Sequence, residues 1–181
     1  MIDKAEVRLI GLTGTNGAGK GEIASHFIRK GFAFHSLSDV LRAELAARGE
    51  AATRDNLIRI GNALRASQGA DVLARRIMAS VTGRAIIDSI RNPEEIAFFR
   101  TRPDFLLLAV DAPVALRYER VRKRGRDESA RTPDEFAAKE REEMEGAPTG
   151  QRLRRCLELA DALIINDGTL EDLYRKLEVF A

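Results

Sequence analysis

The sequence predicts an α/β fold in which helices cover both faces of one parallel sheet. Apolar runs of strand length recur along the 181 residues, and stretches with helical spacing separate them. Several of these runs are continuously apolar rather than alternating, which is typical of parallel strands buried on both faces. Alternating strands and helices imply right-handed crossovers within one sheet. The length suits a single domain over residues 1–181.

The predicted elements follow from these patterns in chain order. Strands are predicted at Val7–Thr13, Phe32–His35, Ala85–Ile90, Phe105–Val110 and Ala162–Ile165. Helices are predicted at Lys20–Arg29, Asp39–Arg48, Thr53–Gln68, Ala70–Val81, Pro93–Arg100, Pro113–Arg124, Pro133–Met144, Gln151–Leu159 and Leu170–Val179. Thr169 is placed to cap the last helix, with Asp172 three residues later. Glycine and proline predict irregular segments at 125–132 and 145–150.

Composition argues against several classes of protein. The chain is 44% hydrophobic and 32% charged, and no apolar run approaches the roughly 20 residues that span a bilayer. The first residues lack the charged and apolar regions of a signal peptide, so a cytoplasmic location is expected. A single cysteine, Cys156, is incompatible with an intrachain disulfide framework, and its helical spacing favours packing. The net charge of +2 gives no reason to expect a membrane or nucleic-acid partner.

A phosphate-binding loop follows the first predicted strand. Gly14 is followed by four residues and then by Gly19 and Lys20, where a helical pattern begins. Small residues let successive backbone N–H groups turn toward phosphate oxygens, and the helix N-terminus adds the positive end of its dipole. Lys20 supplies a mobile charge for the β- and γ-phosphates. The residues predicted to bind ATP here are Gly14, Thr15, Asn16, Gly17, Ala18, Gly19, Lys20, Gly21 and Glu22.

Four further segments carry polar residues in patterns that suit nucleotide chemistry. Residues 36–42 read Ser-Leu-Ser-Asp-Val-Leu-Arg, at the start of a predicted helix. Residues 86–93 place Asp88 at the carboxyl end of a strand, where a Mg²⁺-associated carboxylate is expected. Residues 117–126 concentrate arginine on a predicted helix. Residues 160–169 place asparagine and glycine at a strand-to-helix turn, which is also ordinary turn chemistry.

Together with the loop, these segments resemble those of nucleoside monophosphate kinases. Adenylate kinase is a well-known protein of this kind, dephospho-CoA kinase is similar, and a group of adenylate-kinase-like P-loop proteins common in archaea resembles the chain more closely. The resemblance covers nearly the whole chain and implies a P-loop NTPase fold, with a five-stranded parallel sheet in the order 2-3-1-4-5. It also implies a helical acceptor-binding region at 38–80 and a short lid at 124–141. Gly21 matches the adenylate-kinase loop, whereas Glu22 stands where threonine is usual.

The resemblance assigns an acceptor site to the second and third of the five segments. Arg42 and Arg91 match arginines that hold the acceptor phosphate, which a guanidinium can grip through two parallel hydrogen bonds. Ser36 and Asp39 belong to the same site, although this segment could also be a capped surface helix. Glu95 stands where a glutamine reads the acceptor base. It could accept N–H groups of a base, or it could be a solvated acid in the first helical turn.

The resemblance assigns the donor site and the lid to the remaining segments. Arg120 and Arg124 lie one helical turn apart and match arginines that contact the donor base and phosphates. Arg141 would be a second lid arginine. The backbone at Asp167 and Gly168 would pass beside the donor adenine. The same residue types are also common in ordinary turns between a strand and a helix.

The implied activity is ATP-dependent phosphoryl transfer to a nucleoside or deoxynucleoside monophosphate, which gives the diphosphate. Mg²⁺ near Asp88, bound directly or through water, is the expected cofactor. The residues expected to act in catalysis are Lys20, Asp88, Arg91, Arg124 and Arg141, with Arg126 as an alternative to Arg141. No protein nucleophile is required, because a phosphate acceptor is already ionised. Small-molecule nucleotides are the expected partners of a monomer or homodimer.

Two other functions remain open from the sequence. The first is a kinase for a hydroxyl acceptor such as dephospho-CoA, in which Asp39 lies in the right region for the base. The second is a nucleotide-dependent switch or assembly ATPase. Fold analogy does not separate these functions, because function depends on the site.

Overall fold

Five parallel strands form the sheet, and the predicted order is confirmed as β2-β3-β1-β4-β5. The computed structural model describes residues 7–125, 132–146 and 150–180. The strands are β1 (Leu9–Gly14), β2 (Ala33–Ser36), β3 (Ala85–Asp88), β4 (Phe105–Asp111) and β5 (Ala162–Ile165). Because β1 lies between β3 and β4, the loop that follows it opens at the centre of the sheet's carboxyl edge.

The predicted helices are present, with boundaries shifted by a few residues. They are α1 (Lys20–Arg29), α2 (Leu37–Ala47), α3 (Arg54–Gln68), α4 (Val72–Met78), α5 (Pro93–Phe99), α6 (Val114–Arg124), α7 (Pro133–Met144), α8 (Leu153–Glu158) and α9 (Leu170–Leu177). A 3₁₀ turn at Glu178–Phe180 follows α9. Within the ranges that the structure describes, no helix is both long and apolar enough to cross a bilayer.

Side-chain caps fix where several helices begin. The Ser36 hydroxyl accepts a hydrogen bond from the Ser38 amide, so α2 begins at Leu37 rather than at the predicted Asp39. Thr169 and Asp172 exchange hydrogen bonds in a capping box, which confirms the predicted start of α9. Such caps satisfy amides that the helix itself leaves without partners, and each contributes about 1 kcal/mol.

The core lies on both faces of the sheet. Residues Leu9, Ile87 and Leu107 belong to the layer beneath α2–α5 and α8. Ile10 and Leu108 point to the opposite face, where α1 and α9 cover them. Every residue of β1 is buried, and so is all of β4 except Asp111, as the continuous apolar runs predict. The edge strands β2 and β5 are partly exposed.

Candidate functional site

A cavity of about 1200 Å³ opens along the carboxyl edge of the sheet. The phosphate-binding loop, α2, the start of α3, the turn after β3 and α6 all contribute to its lining. The charged side chains around it come from six elements or turns and are Lys20, Glu22, Asp39, Arg42, Arg54, Asp88, Arg91, Arg120 and Arg124. This volume suits a ligand larger than most single cofactors.

The loop backbone takes a shape that depends on glycine. Gly14, Gly17 and Gly19 all have positive φ angles, at 144°, 78° and 107°. A Cβ atom on Gly14 would lie 2.1 Å from the carbonyl oxygen of Val110 on the neighbouring strand. A Cβ on Gly19 would lie 2.3 Å from Nδ2 of Asn166. The loop therefore packs against the sheet without side chains, and its amides remain available at the head of α1.

Lys20 folds back over the loop that precedes it. Its Nζ atom donates hydrogen bonds of 2.8 Å to the carbonyl oxygens of Gly14 and Thr15. Burial, and then the positive charge of Arg91, lower the pKa of Lys20 to about 8. An ammonium group that is poorly solvated and close to other cations is prepared to bind the anionic oxygens of a phosphate.

Two predicted loop residues support the site instead of lining it. Thr15 is fully buried, and its hydroxyl donates to Oδ1 of Asp111 over 2.6 Å. Ala18 is also buried, and its carbonyl oxygen accepts a hydrogen bond from Nδ2 of Asn166. The side chains of Asp111 and Asn166 thus tie the loop to the ends of β4 and β5, which leaves backbone groups to contact a ligand. The sequence does not predict either of these contacts with the loop.

Asp88 contributes a buried carboxylate oxygen to the lining of the cavity. Oδ1 of Asp88 is buried and has no hydrogen-bond partner among the described residues, while Oδ2 accepts from the Ser89 hydroxyl over 3.3 Å. Ser89 has a φ of 68°, and it alone of the described non-glycine residues has a positive φ. That conformation ends β3 at Asp88, before the predicted Ile90, and costs about 1–3 kcal/mol. Strain directly beside an unsatisfied carboxylate is characteristic of a functional site.

Four of the five residues predicted to bind an acceptor line the cavity. They are Ser36, Asp39, Arg42 and Arg91. Nη1 of Arg42 donates to Oδ1 of Asp39 over 2.6 Å, and both side chains are exposed. Arg54, which sequence reasoning missed, lines the same wall.

Glu95 does not line this cavity, and its interpretation as a solvated acid is wrong. Its side chain is fully buried, and Oε1 accepts hydrogen bonds from Nε and Nη2 of Arg65 at 3.2 and 2.8 Å. Oε2 accepts from the backbone amides of Arg91 and Asn92, which completes the capping box of α5. Glu95 therefore fixes the turn that presents Arg91, and it has no remaining oxygen pointed at a base.

Two of the arginines predicted for the donor site, Arg120 and Arg124, line the cavity. Nη2 of Arg120 donates to the carbonyl oxygen of Asn166 over 3.2 Å, whereas Nη1 is buried without a described hydrogen-bond partner. Arg141 is exposed on α7 and is not part of the lining, and Arg126 lies outside the described residues.

The turn after β5 contributes its backbone and one side chain. Gly168 and Asn166 line the cavity, but Asp167 is exposed and lies 3.4 Å from Nζ of Lys176. Leu170, 48% exposed, places an apolar side chain at the same end of the cavity. An apolar surface beside an arginine and a glycine turn is suited to the flat face of a base.

A carboxylate from α7 crosses to the acceptor wall. Glu143, only 6% exposed, accepts hydrogen bonds from Arg54 through Oε1 and from Nη1 of Arg91 through Oε2 at 2.8 Å. Nη1 of Arg91 also donates to Oε1 of Gln151 over 3.0 Å. The sequence contains no local signal for this contact, since Glu143 is one of many acids on a charged helix.

Cys156 has the packing role that its spacing predicts. The thiol is fully buried, and burial raises its pKa to about 12. Across the ranges described, no group of three histidine, cysteine, aspartate or glutamate side chains is placed to hold a metal ion. Any cation at Asp88 would therefore take most of its ligands from water and a bound phosphate, which is how Mg²⁺ commonly binds.

Comparisons with known proteins agree with this geometry. A family model described as an AAA domain matches residues 13–137. A UPF0200 protein of Methanoculleus marisnigri is 36% identical over 172 residues, which cover 92% of this chain and 91% of that protein.

Solved structures show the same fold. Protein TT1252 of Thermus thermophilus superposes with a TM-score of 0.61 at 22% identity, over 96% of each chain. The shikimate kinase of Bacteroides thetaiotaomicron gives a TM-score of 0.63 at 14% identity, over 94% of this chain and 96% of that one. The fold is that of P-loop kinases, and at these identities the likeness extends to the fold alone.

Proposed function

We propose that this chain, which belongs to the AAA domain family and to the UPF0200 proteins, transfers the γ-phosphoryl group of ATP to a nucleoside or deoxynucleoside monophosphate. The observation that carries the proposal is the arrangement of cations in one cavity. Lys20 lies at the head of α1 and Arg91 follows β3, close enough to lower the pKa of Lys20, while Arg42 and Arg54 line the cavity from α2 and α3. A set of cations drawn from several elements suits two phosphate groups that must be brought together.

The donor roles follow from position. The loop amides and Lys20 would hold the β- and γ-phosphates, with Arg120, Leu170 and the turn at Gly168 against the base and sugar. Arg124 lies at the end of α6, where the proposed lid at 124–141 begins. It would neutralise the negative charge on the phosphoryl group during transfer. Arg141 could join it only if α7 moved, since its side chain is exposed on that helix.

The acceptor roles need cations rather than a base. A monophosphate is already ionised at neutral pH, so Arg42 and Arg91 would hold its oxygens in line with the γ-phosphorus. The proposed acceptor region at 38–80 supplies Arg42 and Arg54. A hydroxyl acceptor would instead need a base, and the nearest candidate, Asp39, is hydrogen-bonded to Arg42 over 2.6 Å. That pairing engages the Asp39 carboxylate with the arginine proposed to hold the acceptor phosphate, which favours the phosphate substrate.

Asp88 fits the role proposed for it at a magnesium site. Its buried Oδ1 accepts no described hydrogen bond, and a hard cation satisfies a carboxylate oxygen in this state. Bound Mg²⁺ would neutralise charge on the donor phosphates. The protein would hold the Asp88 carboxylate in place through β3 and the strained Ser89. It would also exclude water when the cavity closes.

A product screen tests the proposal directly. The protein, ATP and Mg²⁺ would be incubated with each ribo- and deoxynucleoside monophosphate, with dephospho-CoA, and without an acceptor, and all phosphorylated products would be resolved. The Lys20→Ala protein is the blank, because it separates this active site from contaminating kinases. We expect one or a few monophosphates to turn over at about 1–100 per second.

The other outcomes of this screen identify the rival functions. Phosphorylation of dephospho-CoA alone would replace the proposal with a hydroxyl kinase. ATP hydrolysis at the same rate with and without acceptors would replace it with a nucleotide-driven switch.

A further inference from the structure

We propose that Glu143 is a positioning residue that holds Arg54 and Arg91 at the cavity wall, where they receive the phosphate of the acceptor. This inference rests on the proposed function, because it assumes an acceptor that carries a phosphate group. Glu143 is on α7, far along the chain from both arginines, and it does not itself line the large cavity.

The contacts of Glu143 join the side chains of two elements that line the cavity. Arg54 is the first residue of α3, and Arg91 lies in the turn between β3 and α5. Each carboxylate oxygen of Glu143 accepts from one of these guanidinium groups. Gln151 adds a second acceptor for Arg91 at 3.0 Å. The two arginines are therefore held side by side along the acceptor wall.

The net charge of Arg54, Arg91 and Glu143 together favours binding of an anion. Burial pushes the pKa of Glu143 upward, but the charges and hydrogen bonds of Arg91 and Arg54 together bring it below its ordinary value. Glu143 is thus ionised at neutral pH, and it cancels one of the two positive charges beside it. One net positive charge remains on a wall that faces the cavity, which suits a phosphate better than a neutral sugar.

A small side pocket of about 90 Å³ lies beside these side chains. Arg54, Arg91 and Glu143 border it together with apolar residues such as Leu37 and Leu57. Ser38, Arg54, Leu57, Ser89 and Arg91 border both this pocket and the large cavity, so the two spaces are adjacent.

Glu143 lies on a face of α7 that packs against the rest of the protein through Glu140 and Phe136 as well. Glu140, one turn earlier, pairs with the buried Arg117, whose Nη1 also donates to the carbonyl oxygen of Asn16 in the phosphate-binding loop. Phe136 is the apolar anchor of that face. One helix is therefore linked to the phosphate-binding loop through Arg117, and it contacts Arg54 and Arg91 directly.

Binding measurements test the inference through the contribution of the phosphate. AMP, GMP, CMP and UMP, each compared with its nucleoside, would be titrated into the unmodified protein, E143Q and E143D by calorimetry. The readout is the ratio of the dissociation constant of the nucleoside to that of the monophosphate. Glu142→Gln is the matched control, since Glu142 is the exposed neighbour on the same helix.

We expect the unmodified protein to prefer the monophosphate by roughly 100-fold, as two charge-assisted contacts would provide. E143Q should lower that ratio at least tenfold, because an amide cannot accept from both guanidinium groups. E143D keeps the charge but is one methylene shorter, so an intermediate ratio is expected, and E142Q should leave the ratio unchanged. Where turnover is measurable, the KM for the acceptor should rise in E143Q while the KM for ATP stays within twofold.

Two results would overturn the inference. An unchanged ratio in E143Q means that Glu143 does not position the arginines. A higher ratio means that the carboxylate occupies the place of the phosphate and competes with it. If E143Q does not fold, as its thermal transition would show, an unchanged ratio in E143D has the same meaning.

The proposed reaction fails separately from this inference. A ratio that falls in E143Q, together with no phosphoryl transfer by the unmodified protein, rejects the reaction and retains the positioning role. A monophosphate that binds no better than its nucleoside in the unmodified protein rejects both.

Discussion

The two sides of the cavity are constructed in different ways. The donor side is a run of consecutive residues, 14–20, whose backbone is fixed by glycines packed against the sheet and whose support is the apolar core beneath β1. The proposed acceptor side consists of long arginine side chains from α2, α3 and a turn, with Arg42 paired to Asp39 on its own helix and Arg54 and Arg91 paired to Glu143 of α7. Backbone groups on a sheet are preorganised whether or not a ligand is bound. Ion-paired side chains can exchange one anion for another. We therefore expect the arginines of the proposed acceptor side to change position more on ligand binding than the loop backbone does.

Removing the one charged group of the donor loop should have the largest effect. Lys20→Ala should lower kcat on the order of 10³-fold, comparable to the loss of a cation that stabilises the transferring group. The fold should persist, because Lys20 contacts only carbonyl oxygens of its own loop in the hydrogen bonds described. Steady-state kinetics and circular dichroism would measure both. Lys30→Ala, at the other end of the same helix, is the control, and a Lys20→Ala protein with kcat within tenfold of the original would contradict the donor assignment.

Placing a side chain under the loop should break the donor side by destabilising it. In Gly14→Ala the new Cβ would lie 2.1 Å from a backbone oxygen of β4, at a φ of 144°. We expect a loss of about 3 kcal/mol in the free energy of unfolding, as for other overpacked sites. Gly83→Ala is the control, because Gly83 also has a positive φ but has open space around it. It should cost only about 1–2 kcal/mol, and equal losses in the two variants in urea denaturation would disprove the packing argument.

The pH dependence should separate the free enzyme from its complex with ATP. Burial, and then Arg91, lower the pKa of Lys20 to about 8, with Arg124 acting in the same direction and Asp88 and Glu143 acting against it. Above pH 8 the free enzyme loses this charge, so kcat/KM for ATP should fall about tenfold per pH unit. Bound phosphates favour the charged amine, so kcat itself should hold to higher pH. A kcat/KM that is flat to pH 10 would contradict this expectation.

The same lowered pKa has a consequence for stability. The unfolded chain keeps the ordinary lysine pKa of 10.5, so between about pH 8 and 10.5 it binds more protons at Lys20 than the folded protein does. The penalty for a buried charged lysine is therefore fully present below pH 8 and is relieved as the pH rises to 10.5. In Lys20→Met, which is neutral at every pH, this contribution to the pH dependence of unfolding should be missing.

The local structure of the phosphate-binding loop is easier to predict from the sequence than the ion pairs around Arg54 and Arg91, for a physical reason. The loop, its helix and the Thr169–Asp172 cap depend on interactions between residues a few positions apart. Such interactions can be predicted from a single sequence. Glu95 binds Arg65 across 30 positions, and Glu143 binds Arg54 across 89. Whether an acid on a charged helix is solvated or buried against an arginine depends on packing between distant elements. For this reason the sequence pattern wrongly suggests that Glu95 is solvated, and it gives no signal for the roles of Arg54 and Glu143.

The smallest expected effect comes from another glycine of the loop, and it sharpens the comparison most. Gly21 lies in the first turn of α1 without a positive φ, and a Cβ there would meet nothing within 4 Å. Gly21→Ala should therefore stabilise the protein by about 0.5–1 kcal/mol, the difference in helix propensity.

Its effect on ATP then tells how closely the phosphates approach the loop. Because Gly21 lines the cavity, a bound phosphate close to its amide would meet the new methyl group, and the KM for ATP should rise severalfold in a protein that is more stable than the original. An unchanged KM would place the phosphates nearer to Gly17 and Gly19, and it would mean that Gly21 is required neither by the fold nor by the ligand.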